Sequence, residues 1–370
     1  MTDYATMQTE SGGKASDIWA DEVGKAVTGH RHYLALCLLC VATVWPFLAL
    51  SAPGGAALLY RNLITLLVIM AVPFATVLVL WSALCALQAG RAHPRETLRR
   101  VLAGRYFAPD RVTGLLTVLL PLAFVLAGFT AMKVHIGHLQ PFDYDRPIIE
   151  WTRALTGDTL PWQYLMAWFG APWAIKALDG IYYLWFPLLA ATFILQLLSV
   201  RRPHLRLQFI TTLALNWGLL GTFGALAFAS AGPAFLPDLW GTPTPFDGLL
   251  AHLHAIDGDG HALMALSVQN GLWSIFSLKG AIAGAGISAM PSIHVAMATT
   301  LALLGWRLGR LWGIAYTLFA VAIFIGSIML AFHYALDGIA GAAAAAAIWT
   351  AAGRMIDRAH PRALEPLPPR

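Results

Sequence analysis

The chain has 370 residues, of which 58% are hydrophobic and only 12% are charged. Soluble domains carry about 25% charged residues, so this composition excludes an ordinary soluble enzyme and indicates a protein that crosses a membrane several times. The net charge of +5 is modest. In a membrane protein such a charge reflects topology first, and we predict no nucleic-acid partner.

Apolar runs of about 20 residues, the length that spans a bilayer, recur along the chain. They predict an all-α integral membrane protein. The last run is mostly alanine and glycine, which suits a helix packed tightly against its neighbours. The eight predicted transmembrane helices are 33–52, 63–88, 112–132, 173–199, 208–230, 289–305, 311–331 and 334–353.

Basic residues orient this bundle. Most of the 24 lysines and arginines fall on the same side as the N-terminus, as in the stretch GRAHPRETLRRVLAGRYFAPDR. Positive charge accumulates on the cytoplasmic side, so both termini are predicted to be cytoplasmic. The predicted parts are 1–111 with two accessory helices, a six-helix membrane domain at 112–353 and a tail at 354–370. The domain has two outer loops, 133–172, which we expect to form short helices, and 231–288.

Three ionisable residues fall at the predicted outer ends of helices. His294 lies in AMPSIHVA, and His333 and Asp337 lie in FHYALD. Such groups are costly at a membrane edge and mark functional sites. His333 and Asp337 are four positions apart, which predicts one shared helix face. There the carboxylate can orient the imidazole and stabilise its charged form.

The spacing of the two histidines predicts that they lie at the same depth. They are 39 positions apart, and one predicted helix crosses the membrane and the next returns between them. Each crossing takes about 20 residues. We therefore expect both side chains at the outer membrane edge.

The helix that follows AMPSIHVA is predicted to begin near Pro291, since proline suits the first helical turn. The free N–H groups of that turn favour an anion such as phosphate, and Ser292 can add a hydroxyl donor. This combination fits phosphoryl transfer by covalent catalysis. One imidazole attacks phosphorus, the carboxylate orients it and the second imidazole protonates the leaving oxygen.

Two other interpretations of the three residues stay open. A metal ion could be held by His294, His333 and Asp337, but no further carboxylate or histidine cluster is adjacent, so we predict no metal and no other cofactor. In a non-enzymatic lipid transporter or scaffold, the same residues would be polar packing groups.

At these motifs the sequence resembles the type-2 phosphatidic acid phosphatase superfamily, which carries P-S-G-H and, one hairpin later, S-R-x5-H-x3-D. Here PSIH has Ile293 in place of the glycine. GSIMLAFHYALD has Gly326 and Ser327 where the serine and arginine would stand. The form MPSxH…HYxxD is most similar to the branch that contains inositol phosphorylceramide synthases.

The resemblance implies that His333 is the nucleophile, Asp337 its partner and His294 the general acid. It also implies a six-helix core. The family's K-x6-R-P motif is missing, because the outer end of the fifth helix reads FASAGPAFLP. A phosphate diester carries one charge and needs fewer cations than a monoester dianion. The site is therefore better matched to head-group transfer between lipids.

Other side chains near the outer loops could replace the missing phosphate ligands or help to bind the substrate. Each basic one could instead anchor the protein at the membrane interface. These candidates are Lys279, Arg146 and Lys176, the last together with Asp179, Tyr182 and Tyr183.

The expected function is a membrane phosphotransferase that moves a phosphoryl or phospho-head-group from a lipid donor through a phosphohistidine. The alternative is a lipid or polyprenyl phosphate phosphatase, with water as the acceptor. The expected partners are a phospholipid or lipid-phosphate substrate and the membrane lipids. The expected location is the bacterial inner membrane, with the site facing the periplasm or the exterior.

Overall fold

The computed structural model describes residues 3–51, 54–88, 108–199, 202–241, 243–260, 262–278 and 285–359. Every regular element in these ranges is a helix, which confirms the all-α fold class. The helices of the first half are, in order, α1 (Asp3–Ser51), α2 (Gly55–Gln88), α3 (Pro109–Leu139), α4 (Asp145–Thr156), α5 (Pro161–Phe169) and α6 (Pro172–Leu198).

The second half begins with α7 (Pro203–Ala227), which contains a π-helical segment at Asn216–Gly224. Six more α-helices follow in the described ranges, and the AMPSIHVA and FHYALD motifs lie at the connections between the last of them. In order they are α8 (Leu236–Trp240), α9 (Asp247–Gly258), α10 (Met264–Ser277), α11 (Ile293–Leu308), α12 (Arg310–Met329) and α13 (Ala335–Ala359).

The chain divides into two compact units. One consists of Met1–Val41 and Leu63–Val125, and the other of Ala42–Asn62 and Leu126–Arg370. The second unit contains His294, His333 and Asp337. The boundaries predicted from the sequence, after residues 111 and 353, stay predictions.

Among the described residues, six helices are long and apolar enough to cross a membrane, and two shorter apolar stretches, Gly55–Val68 and α11, accompany them. A helix is present at each of the eight predicted positions, which supports an integral membrane protein. Eight crossings and two cytoplasmic termini stay predictions. The six long spans are Asp17–Leu50, Pro109–Leu139, Pro172–Leu198, Pro203–Ala227, Arg310–Met329 and Ala335–Ala359.

The connections differ from the predicted loops. Helix α3 continues to Leu139, beyond the predicted end at residue 132, and α4 and α5 form the expected short helices. The region 231–288, predicted as a loop from its glycines and prolines, instead contains α8, α9 and α10. We call residues 140–171 and 228–292 the first and second connecting segments.

Small residues allow α13 to approach its neighbours closely, as its alanine- and glycine-rich sequence predicts. A β-carbon at Gly341 would lie 2.4 Å from the Ser292 carbonyl oxygen, and one at Gly338 would lie 2.5 Å from the Phe324 ring. These distances are far below van der Waals contact. Glycine at these two positions therefore allows α13 to pack closely against the start of α11 and the end of α12.

Replacing Gly341 by alanine tests this close approach. Alanine normally favours a helix over glycine by about 1 kcal/mol, but here the added methyl group must displace the Ser292 backbone. We expect Gly341→Ala to lower the free energy of unfolding by about 1–3 kcal/mol. The measurement is thermal unfolding in detergent micelles by circular dichroism.

Gly180→Ala is the matched control, because a β-carbon at Gly180 in α6 would meet nothing within 4 Å. We expect it to leave the melting temperature unchanged or to raise it slightly. An equal rise in both variants would contradict the packing described for Gly341.

Candidate active site

The start of α11 lies against the start of α13. Ser292 is the N-cap residue of α11, and its hydroxyl oxygen accepts the Val295 N–H at 3.4 Å. The Ser292 N–H in turn donates to the Asp337 carbonyl oxygen, in the first turn of α13, at 3.0 Å. Two helix N-termini therefore meet here, and each has first-turn N–H groups with no partner within its own helix.

The prediction that Pro291 lies in the first turn of α11 is wrong. The helix begins at Ile293, and Pro291 precedes the N-cap. Ser230 holds the incoming chain, since its carbonyl oxygen accepts the Ala289 N–H at 2.8 Å and its hydroxyl accepts the Met290 N–H at 3.0 Å. These bonds hold the backbone before Pro291 in a non-helical conformation.

His333 lies in the tight turn between α12 and α13. Ala331 has a φ of 61°, which is uncommon for a residue other than glycine. The Ser327 carbonyl oxygen accepts the N–H groups of Phe332 and His333, at 3.1 and 3.0 Å. Because α13 begins at Ala335, His333 precedes the helix, and the prediction that it shares a helix face with Asp337 is wrong.

Asp337 nevertheless lies next to the His333 ring. Its Oδ2 is 3.5 Å from His333 Nδ1 and also accepts the Tyr334 N–H at 2.9 Å, as an acidic residue in the first turn of a helix does. Asp337 is fully buried and His333 is 6% exposed. Neither Asp337 Oδ1 nor His333 Nδ1 has a hydrogen-bond partner among the described residues. A small movement of the ring would form the Nδ1–H to carboxylate bond.

The second histidine faces the first. The ring centroids of His294 and His333 are 6.1 Å apart. The two side chains that the sequence predicts to lie at the same depth are therefore close together. Tyr182 of α6 stacks on His294 at 4.8 Å, and Trp185 lies 4.6 Å away and donates its indole N–H to the His294 carbonyl oxygen. Phe332 also stacks on the Tyr182 ring. Aromatic side chains therefore enclose His294.

A second buried carboxylate, Asp145, supports this arrangement from the first connecting segment. Its oxygens accept the N–H groups of Ala231 and Gly232 at 2.9 and 3.0 Å and the Tyr334 hydroxyl at 2.7 Å. Burial raises the pKa of the Asp145 carboxyl to about 6, although these donors act in the opposite direction. Tyr334 thus donates its hydroxyl to Asp145 and its N–H to Asp337. These bonds link the turn that contains His333 to the two connecting segments.

Ser292, Lys176 and Asp179 have structural partners. Ser292 is fully buried and its hydroxyl caps α11. Lys176 donates to the Ala262 carbonyl oxygen at 2.6 Å. Asp179 accepts the N–H groups of Met264 and Ala265, which start α10, at 2.9 and 3.0 Å. In this structure the three side chains hold the second connecting segment and the helix starts in place.

The other predicted ligands have different surroundings or lie outside the described residues. Arg146 lies over the Trp240 ring, 4.8 Å from its centroid. Tyr183 is half-buried, and its hydroxyl has no hydrogen-bond partner within the described ranges. Lys279 lies outside the residues that the structure describes.

Of the two neighbouring tyrosines named from the sequence, Tyr182 contacts His294. Two residues of the site are absent from the sequence-based candidates. Tyr334 follows His333 directly in the HYxxD pattern, so the motif contained it without indicating a role. Asp145 occurs in DYDRP, where nothing distinguishes it from the exposed Asp143.

The fold and the site together define a helical integral membrane protein with two histidines and an aspartate gathered where two helices begin. The model of the PAP2 superfamily matches residues 146–351. That is more than half of the chain, and the protein belongs to this superfamily. No curated protein and no solved structure matches the chain. Membership indicates phosphatase- or phosphotransferase-type chemistry, and the matched range contains both histidines and Asp337.

The role of Asp145 can be tested by Asp145→Ala. The change leaves the two backbone N–H groups and the Tyr334 hydroxyl buried without an acceptor, and each such donor costs about 1–3 kcal/mol. We expect a clear fall in the melting temperature at pH 8, where the carboxylate is ionised. The measurement is thermal unfolding in micelles followed by circular dichroism.

Asp143→Ala is the matched control, since Asp143 is exposed two positions earlier. We expect it to change the stability by less than about 0.5 kcal/mol. Equal melting temperatures for the two variants would refute the supporting role of Asp145.

Proposed function

We propose that this protein transfers a phosphoryl or phospho-head-group from a membrane lipid through a phosphohistidine at His333. One observation carries the proposal: the rings of His294 and His333 are 6.1 Å apart, with a buried carboxylate 3.5 Å from His333 Nδ1. A phosphate group fits between two imidazoles at this separation. The N-termini of α11 and α13 favour its negative charge.

In the first step, His333 Nε2 attacks phosphorus and the bond from phosphorus to the donor oxygen breaks. Asp337 holds the proton on Nδ1 and stabilises the positive charge that develops on the ring. His294, in its imidazolium form, gives its proton to the departing oxygen, so the donor leaves as a neutral alcohol. The phosphoryl group is now bonded to His333.

In the second step, the hydroxyl group of an acceptor attacks phosphorus and the N–P bond breaks. His294 is now neutral and takes the proton of that hydroxyl, which regenerates the imidazolium for the next cycle. The same residue serves as acid and then as base. The reaction needs no further proton source.

Transfer to an alcohol is favoured over hydrolysis by two features of the site. Tyr182, Trp185 and Phe186 surround the proposed acid–base residue with aromatic rings, which limits the access of water. The family's paired lysine and arginine motif is also missing, which suits a singly charged diester. A lipid-phosphate phosphatase remains the alternative activity, with water in place of the alcohol. The proposed setting is a bacterial inner membrane, with the site on the outer face.

Trapping the intermediate tests the nucleophile. We expect purified protein incubated with a lipid labelled with ³²P in its phosphate to acquire a label that is stable in alkali and lost in acid. His333→Asn should abolish the label, and His294→Asn should slow its appearance by about 10²–10⁴-fold, because proton donation to the leaving group is lost. Peptide mapping of the labelled protein identifies the modified residue.

His32→Asn, in the first unit, is the histidine control and should be labelled like the wild type. Full turnover by a folded His333→Asn variant would remove the proposed mechanism and would leave His333 a polar packing group.

Product analysis separates the two acceptors. Wild-type protein is incubated with a labelled phospholipid donor and a mixture of lipid and polyol alcohols, and the products are resolved by chromatography. We expect a new labelled phospholipid or phosphorylated alcohol to exceed free phosphate. Free phosphate as the sole product would show a phosphatase and contradict the proposed transfer.

A further inference from the structure

Resting on the proposed function, we infer that Lys133 of α3 is the cation that binds the phosphate of the substrate. It would replace the basic residues that the family motif supplies from a different helix. Lys133 was not among the sequence-based candidates. Of those candidates, Lys176 and Arg146 are engaged with Ala262 and Trp240.

The packing of α3 directs this part of the helix towards His294. Phe129 lies one turn before Lys133, so the two share a helix face. A β-carbon at Gly221 in α7 would meet the Phe129 ring at 2.6 Å and Ile293 Cδ1 at 3.4 Å. Phe129 thus lies beside the residue that immediately precedes His294.

The chain that leads into α11 provides a second, independent contact. A β-carbon at Gly286 would lie 2.1 Å from the Lys133 carbonyl oxygen and 2.8 Å from its Cγ. Only glycine permits this approach. The second connecting segment therefore runs directly over Lys133 before it reaches Ser292 and His294.

Lys133 has no carboxylate partner within the described residues. It is half-buried, lies in an apolar helix and makes no hydrogen bond or ion pair in the described ranges. An ammonium group in such surroundings is costly unless an anion accompanies it. A phosphate between the two histidines would be that anion.

This arrangement also accounts for the charge balance of the bound substrate. One lysine and two helix N-termini match the single negative charge of a phosphodiester. The inferred specificity is therefore for a lipid phosphodiester over a monoester dianion.

The probe for this inference is orthovanadate, a phosphate analogue, titrated into the purified full chain in micelles and followed by ⁵¹V NMR. We expect Lys133→Met to weaken vanadate binding about tenfold or more, as the loss of one charge-assisted hydrogen bond predicts. Lys133→Arg, which keeps the charge, should stay within about threefold of the wild type. Lys25→Met is the matched control, since Lys25 is an exposed lysine paired with Asp21 and Glu22, and it should bind vanadate like the wild type.

Unchanged vanadate affinity in folded Lys133→Met would overturn the inference, and so would a shift in the pH profile of turnover with the affinity intact. The second result would mean that Lys133 acts only on the protonation of His294. If Lys133→Met does not fold, Lys133→Gln takes its place and the same tenfold loss is expected.

Labelling of His333 in the same preparations separates this inference from the proposed function. A wild type that is labelled by the lipid but does not bind vanadate would overturn the role of Lys133 and leave the phosphohistidine. A wild type that binds vanadate through Lys133 but is never labelled would remove the proposed transfer and leave an anion site.

Discussion

The hydrogen bond from the Ser292 N–H to the Asp337 carbonyl oxygen is the contact on which the site depends. It joins two helix starts, and each start carries a partial positive charge from its unpaired N–H groups. Two such ends repel one another unless negative charge lies between them. The Asp337 carboxylate supplies part of that charge, and a bound phosphate would supply the rest. The junction of α11 and α13 is thus a structural element and, in the proposed function, also an anion site. Glycine at position 341 permits the close approach of the two helices.

Two aspartates hold the second connecting segment in the same way. Asp145 accepts two successive backbone N–H groups, of Ala231 and Gly232, and Asp179 does the same for Met264 and Ala265. Each pair of bonds satisfies a carboxylate that would otherwise be costly to bury. This segment also buries apolar side chains such as Phe235 and Leu249, and the polar anchors act in addition to that packing. Asp145 and Asp179 therefore help to determine the position of the second connecting segment.

The sequence predicts the positions of the helices and the pairing of His294 with His333 because bilayer thickness imposes a fixed length on each crossing. It does not predict which of Tyr182 and Tyr183 faces His294. Neighbouring helical residues point about 100° apart, and an evenly apolar helix gives no sign of which face turns inwards. The sequence places the start of α11 two residues too early. Two hydrogen bonds accepted by Ser230, about 60 positions away in the chain, hold the segment before Pro291. Such long-range contacts leave no trace in a local pattern.

Helix α11 has 16 residues, which span about 24 Å at 1.5 Å per residue. The hydrocarbon core of a bilayer is about 30 Å thick. A helix of this length cannot reach both surfaces of that core, so non-helical chain covers the remaining depth at one or both of its ends. Backbone of that kind is tolerated within a membrane only where protein encloses it. In the proposed function, non-helical chain before Ser292 would cover this depth, and a lipid phosphate would have to pass below the plane of the neighbouring head groups to reach His294.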